Sequence, residues 1–126
     1  MIMNFYRLTE HSDLHKDKVG VFYMRPSSIE SIIFIDGKYC VVEQTCNVDY
    51  VVTQNECDRI VNELNMIRIH TNEESFDNSR RFINPEKIDS LFEINDTIGS
   101  SYVTMKSGRK LFITIEDCEN IKKYKA

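Results

Sequence analysis

Two turns of this chain place an aromatic side chain two residues before a polar one, and a proline follows each pair. Tyr23 precedes Arg25 at the first turn, and Phe82 precedes Asn84 at the second. In an extended segment, side chains two residues apart share one face. An aromatic ring can stack on a nucleobase, and an arginine can donate two hydrogen bonds to a phosphate. These four residues are therefore candidates for binding an anionic ligand that contains a ring.

A further basic candidate is Arg109, which lies beside Gly108. The residue types also support a simpler interpretation, in which Tyr23 and Phe82 are core residues of strands and the arginines are surface charges. The two interpretations differ in whether the rings face solvent.

The sequence lacks the patterns of the common catalytic and metal sites. It contains no glycine-rich phosphate loop, no nucleophile elbow and no C-x-x-C pair. Its histidines lie in polar stretches, and its four cysteines lack the spacing of metal ligands (Cys40, Cys46, Cys57, Cys118). We therefore expect a binding protein rather than an enzyme, with no catalytic residue, no bound metal and no cofactor.

The second half of the chain repeats the first. RPSSIESI (residues 25–32) corresponds to NPEKIDSL (84–91) at an offset of 59, and YVVTQNECDRI (50–60) corresponds to LFITIEDCENI (111–121) at an offset of 61. One short loop insertion accounts for the change in offset. Because a solenoid needs more than two repeats, the pattern indicates two copies of one unit within a single domain.

The predicted domain covers residues 1–126, with a first copy over about residues 19–68 and a second over about 80–125. A polar stretch over residues 70–79 separates the copies and predicts a connecting loop. A strand is also expected near the start of the chain, over residues 3–8.

Each copy is expected to contain a β-hairpin followed by a helix. The predicted hairpins pair residues 31–35 with 39–43, around Asp36-Gly37, and residues 102–106 with 110–114, around Gly108. The helices should begin at two capping boxes, Thr53 with Glu56 and Thr114 with Asp117. In the first helix, the apolar stripe is expected to continue as far as Ile67.

These elements predict an α+β fold in which two related units form antiparallel sheet and a helix closes each unit. A sheet this small leaves a strand edge exposed, so we expect a homo-oligomer, a dimer or a hexamer, with ligand pockets near the subunit boundary.

Composition narrows the classes of partner. The 16 basic and 20 acidic residues give a net charge of -4, which argues against DNA, RNA or an anionic membrane as the partner. A small anionic ligand needs only a few local arginines, so it remains compatible with this charge. The sequence has no apolar run of membrane-spanning length and no signal-peptide pattern, and we expect the protein in the cytoplasm.

Two resemblances add to this interpretation. The second copy, FINPEKIDSLFEI (82–94) and YVTMKSGRKLFI (102–113), resembles small FlbD-like proteins linked to flagellar genes, which share the N-P-x-x-I turn and a hairpin closed by glycine and a basic residue. The whole chain resembles the first described family of phage-encoded Thoeris anti-defence proteins. That likeness rests on total length, the two-part plan of strands and helix, Phe82 in FINP and Arg109 in SGRK.

The second resemblance implies a protein that sequesters cyclic ADP-ribose signals (gcADPR-type), made by TIR-domain enzymes, and releases them intact. It implies that Phe82 stacks on the ligand and that Arg109 contacts a phosphate or ribose. Arg25 would supply a second basic contact, and Asn95 and Asn84 would be polar neighbours. On this basis Phe82→Ala and Arg109→Ala should abolish tight capture and leave the fold intact.

The same resemblance implies oligomers that bind cyclic oligonucleotides at a separate site, for which Arg59 and Arg68 are candidates.

Three other functions remain open. The protein could be an interaction module that pairs through an exposed strand edge such as residues 39–43, an enzyme that cleaves the nucleotide signal, or a flagellar regulator.

Overall fold

The structure is a computed structural model, and it describes residues 5–10, 20–35, 39–70, 79–94 and 101–124. These residues form an α+β fold with antiparallel strands and two α-helices, as predicted. The strands are β1 (Tyr6–Thr9), β2 (Val21–Met24), β3 (Ile29–Ile35), β4 (Tyr39–Gln44), β5 (Asp49–Val52), β6 (Ile67–Ile69), β7 (Ser79–Ile83), β8 (Ile88–Phe92), β9 (Ser101–Met105) and β10 (Lys110–Ile113). The helices are α1 (Gln54–Glu63) and α2 (Ile115–Lys122), and single 3-10 turns span Pro26–Ser28 and Pro85–Lys87. The predicted Asp36-Gly37 turn and most of the predicted connector lie outside the described residues.

The described strands form three sheets. The central sheet has five strands in the order β5-β4-β3-β7-β6, and it is flanked by a three-stranded sheet, β10-β9-β8, and a two-stranded one, β1-β2. Since β3 and β7 come from different halves of the chain, their pairing joins the halves. The predicted exposed edge over residues 39–43 is wrong, because β4 pairs with β3 on one side and with β5 on the other.

Two hydrophobic cores lie on opposite faces of the central sheet. Core one packs one face of that sheet against the β1-β2 hairpin and α1, and its buried residues are Tyr6, Leu8, Met24, Ile29, Ile32, Phe34, Cys40, Val42, Val52, Cys57, Ile60 and Met66. Core two packs the other face, near β6 and β7, against the three-stranded sheet and α2 through Ile69, Ile83, Val103, Met105, Ile113, Cys118 and Ile121. Successive residues of a strand point to opposite faces, so β7 contributes Phe82 to core one and Ile83 to core two.

The order of elements from β1 to α1 recurs from β6 to α2. A register shift interrupts the pairing of β3 between Ile29 and Ser31, and the same shift occurs in β8 between Ile88 and Ser90. The backbone amide of Thr45 donates to the carbonyl of Ser28 at 2.9 Å, and the equivalent amide of Lys106 donates to that of Lys87, also at 2.9 Å. The recurrence thus begins earlier than the predicted copies do, because β1 and β6 occupy equivalent places.

Equivalent turns follow β4 and β9, and both use a left-handed backbone. Asn47 has a φ of 66° and Gly108 a φ of 93°. Asparagine and glycine tolerate this region with little strain. The expected positive φ at Gly108 is therefore confirmed, and the two turns also touch, since the side-chain amide of Asn47 donates to the carbonyl of Ser107 at 3.2 Å.

The two helices begin differently although both were predicted to have a capping box. At α2, the Thr114 hydroxyl accepts from the Asp117 amide at 3.1 Å, and the Asp117 carboxylate accepts in return from the Thr114 amide, so the prediction is confirmed. At α1, Thr53 makes no capping hydrogen bond through its side chain, so the prediction there is wrong. The Glu56 carboxylate instead accepts from the amide and hydroxyl of Thr9, at 2.7 and 2.9 Å.

That contact of Glu56 has an equivalent in the second half. Asp117 accepts from the backbone amide of His70 at 2.6 Å and lies 3.0 Å from its Nδ1. Thr9 ends β1 and His70 follows β6, so in each half an acid in the first helical turn holds the end of the first strand. Asp117 makes this contact in addition to its capping hydrogen bonds, whereas the Glu56 carboxylate binds Thr9 in place of a cap.

The first helix ends before the predicted stripe does. Asn65 adopts a φ of 51°, its amide donates to the Asn62 carbonyl, and the Met66 amide donates to the Val61 carbonyl. This is the hydrogen-bond pattern of a Schellman motif, which terminates a helix. The prediction that Ile67 belongs to α1 is therefore wrong, and Ile67 begins β6.

The thiols of Cys40, Cys57 and Cys118 are buried, whereas Cys46 is exposed. The hydrogen bond that the Cys40 thiol makes with Cys57, together with burial, raises the pKa of the Cys40 thiol well above its usual range. Cys40 is therefore an unreactive core residue at neutral pH.

Neither of the two helices in the described part of the chain has the length and apolar character that a membrane span requires.

Tyr6 connects β1 to α1 through a part-buried hydrogen bond. Its hydroxyl donates to the Glu63 carboxylate at 2.7 Å. Burial raises the pKa of Tyr6 to about 12, and the hydrogen bond and charge of Glu63 add to the effect. Because the folded state keeps this proton more tightly than the unfolded chain, the stabilising contribution is complete below pH 10 and is lost as pH rises through about 12.

We predict that the free energy of unfolding of the parent protein falls more steeply between pH 10 and about 12 than that of Tyr6→Phe. Urea unfolding at a series of pH values measures this difference. Tyr23→Phe is the matched control, since Tyr23 is exposed, and it should keep the parent's pH dependence. Equal slopes for the parent and Tyr6→Phe would contradict the role given to Tyr6.

Candidate functional site

Phe82 packs into core one. Its side chain is half-buried, and its ring meets the edge of the Phe34 ring at a centroid distance of 5.5 Å and an angle of 74°. Phe82 pairs with Ile32 of β3, whose side chain is fully buried in the same core. The ring therefore contributes mainly to packing, as the simpler interpretation of the sequence held.

Arg109 is surrounded by carboxylates. Its guanidinium lies 2.7 Å from Asp49, 3.3 Å from Glu30 and 3.4 Å from Glu43, and it also donates to the Gln44 carbonyl. The Glu30 side chain is fully buried. A buried carboxylate without a counter-charge is strongly destabilising, so the positive charge of Arg109 already serves the fold.

Phe82 and Arg109 do not line one pocket. Phe82 faces core one together with Ile32, whereas Glu43, a partner of Arg109, pairs with the next residue of β3, Ser31. Side chains of adjacent strand residues point to opposite faces of a sheet. The structure thus places the two predicted ligand contacts on opposite faces of the central sheet.

The other predicted site residues are also dispersed. Asn84 is buried. Its side-chain Nδ2 donates to the Ile29 carbonyl at 2.9 Å, and its side-chain Oδ1 accepts from the backbone amide of Glu86. Tyr23 is exposed on β2, and Arg25 follows that strand, with its guanidinium 5.8 Å from the ring centre of Phe5. Asn95 lies outside the described residues.

The carboxylates around Arg109 belong to a larger ionic network between the halves of the chain. Glu43 also binds Arg81 of β7 and the hydroxyl of Ser31. Glu30 accepts from both the amide and the hydroxyl of Ser107, at 2.9 and 2.6 Å. We call this set the joint network, and its members are Glu30, Ser31, Glu43, Asp49, Arg81, Ser107 and Arg109. It ties the turn after β9 to β3, β4 and β7.

A row of three aromatic rings crosses the three-stranded sheet on the face opposite to core two. Phe92 pairs with Tyr102, and Tyr102 pairs with Phe112. The rings of Phe92 and Tyr102 are stacked, with centroids 5.0 Å apart and an angle of 15°, and the Phe112 ring meets Tyr102 edge-on at 5.8 Å. Phe92 is 50% exposed, so one side of this aromatic row is open to solvent.

A polar row runs beside the aromatic row on the same face. It consists of Ser90, Thr104 and Lys110, which pair across β8, β9 and β10. The Lys110 ammonium lies 4.2 Å from the ring centre of Tyr102. Rings for stacking, hydroxyl groups and one cation are the groups with which proteins bind nucleotides. This face is the best candidate for a functional site among the described residues.

Sequence reasoning missed this face because its candidates were taken from the two turns before proline and from the turn at Gly108. A signal was present, however. Along β9 and β10, aromatic residues alternate with aliphatic ones, so that Tyr102 is followed by Val103 and Phe112 by Ile113. Apolar side chains on both faces of strands in a peripheral sheet indicate that the second face also binds something.

The described residues include no group of three or more histidine, cysteine or acidic side chains able to hold a metal ion.

No protein-family model and no curated protein matches the chain. Among solved structures, the chain is similar to the LytTr DNA-binding domain of a protein from Bacillus cereus, with 13% sequence identity and a TM-score of 0.58. The match covers 94% of this chain and 98% of that domain. At this identity the likeness shows the fold alone.

We predict that Arg109→Ala lowers the free energy of unfolding by about 3 kcal/mol, because it leaves the buried Glu30 without its counter-charge. This differs from the expectation that the substitution leaves the fold intact. Urea unfolding measures the change. Arg68→Ala removes an exposed arginine from β6 and should change the stability by less than about 0.5 kcal/mol. An Arg109→Ala protein as stable as the parent would contradict the role of the joint network.

Proposed function

We propose that this protein binds a nucleotide on the aromatic row and does not alter it chemically. The observation that carries the proposal is the half-exposed Phe92 ring, stacked on Tyr102 on one side and open on the other. A nucleobase stacks on the open side of Phe92. Lys110, which lies over Tyr102, is close enough to the rings to meet a phosphate of the same ligand.

The ligand we propose is a cyclic ADP-ribose isomer of the gcADPR type. Its adenine suits a single aromatic platform, and its pyrophosphate carries about two negative charges, which suits a cation flanked by hydroxyl groups. Sequestering this signal in the cytoplasm of a bacterial host would block Thoeris defence, as the family resemblance implies. Phage proteins of this kind act by binding, which agrees with a chain in which no catalytic pattern was found.

This proposal moves the stacking residue from Phe82 to Phe92. Phe82 packs on Phe34 in core one, and Arg109 is occupied by the joint network. The two arrangements make different predictions for substitutions, so they can be separated by experiment.

DNA binding is the second candidate, and the fold favours it. The similar LytTr domain is a DNA-binding domain, and the likeness covers nearly the whole of both chains. Against it stands the net charge of -4, since affinity for duplex DNA comes largely from cations that neutralise phosphates. A small nucleotide requires only a local cation, and for this reason we place it first.

We predict that the parent protein binds a cyclic ADP-ribose isomer in a calorimetric titration and that Phe92→Leu weakens binding by roughly ten- to a hundred-fold. Loss of one base-stacking platform costs about 1 to 3 kcal/mol. Phe82→Leu is the matched control, since it removes a ring of the same size from core one, and it should bind as the parent does. Heating the complex should release unchanged ligand, whereas an altered product would show an enzyme.

Three results would overturn parts of this account. Loss of binding in Phe82→Leu but not in Phe92→Leu would return the site to the sequence-derived residues. Binding of duplex DNA, and not of the cyclic nucleotide, with steep salt dependence would favour the second candidate. Binding of neither ligand would remove the nucleotide proposal and leave a protein-interaction module.

A further inference from the structure

Two strand edges in the described chain lack a pairing partner that their equivalents have. β7 pairs with β3, and this pairing joins the two halves. The equivalent of β7 in the first half is β2, which pairs with β1 alone among the described strands. The equivalent of β3 in the second half is β8, which in the same described residues pairs with β9 alone. One chain thus carries both partners of a second joint of the same kind.

The pairing of β3 with β7, which we call the inner joint, supplies a register for the second joint. In the inner joint Ile32 lies opposite Phe82, and Ile33 lies opposite Arg81. Shifting each residue to its equivalent in the other half gives the pairs Ser90 with Met24, Leu91 with Tyr23, Phe92 with Phe22, Glu93 with Val21, and Ile94 with Gly20. Glu93 is the one charged residue in these pairs. Solvent-facing edge strands usually carry charges that prevent pairing, and β2 (VFYM) carries none.

The exposed apolar side chains fall where a second joint would cover them. Tyr23 is 66% exposed, although its equivalent, Phe82, packs into core one. Phe92 is the equivalent of Ile33, which β7 covers on one side. Two further exposed residues, Val21 and Val48, are the equivalents of Arg80 and Arg109, which make contacts at the inner joint. Of the six large hydrophobic side chains that are exposed within the described residues, four therefore occupy joint positions.

The two joints differ in chemistry in a consistent way. The turn after β9 reaches the first half through Arg109, which binds Glu43 and Asp49. At the second joint, the equivalent turn would present Val48 to Thr104 and Lys110. The ionic contacts of Arg109 are thus replaced by the apolar side chain of Val48 lying against Thr104 and Lys110, and exposed apolar surface of this kind marks a binding surface.

We infer that β2 of one copy of this chain pairs antiparallel with β8 of a second copy. The pairing completes a five-stranded sheet in the order β10-β9-β8-β2-β1, which repeats the order of the central sheet, β5-β4-β3-β7-β6. Tyr23 then lies opposite Leu91 of the other copy, as Phe82 lies opposite Ile32 within one chain.

Each copy offers one β2 edge and one β8 edge, so the contact is between unlike surfaces. Such contacts close into a ring when the rotation between copies allows it, and two copies that form both joints at once make the smallest ring. The inference rests on strand edges and not on the proposed ligand. The two surfaces share Phe92, Thr104 and Lys110, so a nucleotide and a second copy would compete for them, and the association is therefore tested without nucleotide.

Sedimentation equilibrium over a range of protein concentrations tests the inference. The parent should associate, and Tyr23→Gln and Val21→Glu, which places a like charge opposite Glu93, should each raise the concentration at which copies associate by about tenfold or more. Both residues are exposed, so the single chain should fold normally. Ile115→Gln is the matched control, since Ile115 is 62% exposed at the start of α2, outside the joint, and it should associate as the parent does. A parent that stays monomeric, or an assembly unaffected by both substitutions, would overturn the inference.

Disulfide trapping tests the register. Val21→Cys and Glu93→Cys are made in separate chains, each with Cys46→Ser, and the two are mixed under mild oxidation. Directly opposed residues of antiparallel strands have Cα atoms about 4.5 to 5.5 Å apart, which is within the reach of a disulfide. The mixed disulfide should form readily, whereas Val21→Cys with Asp89→Cys, about 13 Å out of register, should form little. Equal yields from the two pairs would overturn the register.

Discussion

The pairing of β3 with β7 is the constraint on which the rest of this structure depends. It joins the two halves of the chain in one five-stranded sheet and separates the two hydrophobic cores. It also brings the fully buried carboxylate of Glu30 to a place where water cannot solvate it. Arg109 and Ser107, from the turn after β9, supply its hydrogen bonds instead. Because burying an unpaired charge is so costly, that turn is held against the first half.

The two halves have equivalent elements but expose different residues. Phe82 is covered in core one, while its equivalent, Tyr23, faces solvent. On the opposite face of the sheet, Ile33 of β3 lies beside β7, while its equivalent on β8, Phe92, is half exposed. Both the proposed nucleotide site and the inferred contact between copies arise from this difference. Each half exposes apolar or aromatic residues at positions whose equivalents in the other half are covered.

Local features of the fold were predictable from the sequence, and contacts between distant segments were not. Gly108 and the Thr114 cap depend on a few neighbouring residues, and the structure agrees with the prediction at both. At Glu56 the structure differs from the prediction, since its carboxylate binds Thr9, which is 47 residues away, and the local T-x-x-E pattern carries no information on such a partner. Ile67 was misassigned because the left-handed backbone at Asn65 ends the helix, and an asparagine within an apolar stripe gives only a weak stop signal.

The candidate site was less predictable than the fold. The spacing of Phe82 and Arg109 in the sequence says nothing of sheet faces, and strand pairing between the halves places them on opposite ones. The aromatic row has a sequence signal in β9 and β10, but its third member, Phe92, joins it only through the pairing of β8 with β9. Pairing partners that are far apart in the chain leave little trace in a single sequence.

Hydrogen exchange of the native protein, measured residue by residue at a concentration where the chain is monomeric, tests the central role of the β3–β7 pairing most directly. The account predicts that the amides joining β3 to β7 exchange only through global unfolding, with a free energy equal to that from urea unfolding. Exchange of these amides through an opening of lower free energy than global unfolding, while β4 and β9 stay protected, would show that the halves separate before they unfold. That result would contradict the central role of the β3–β7 pairing.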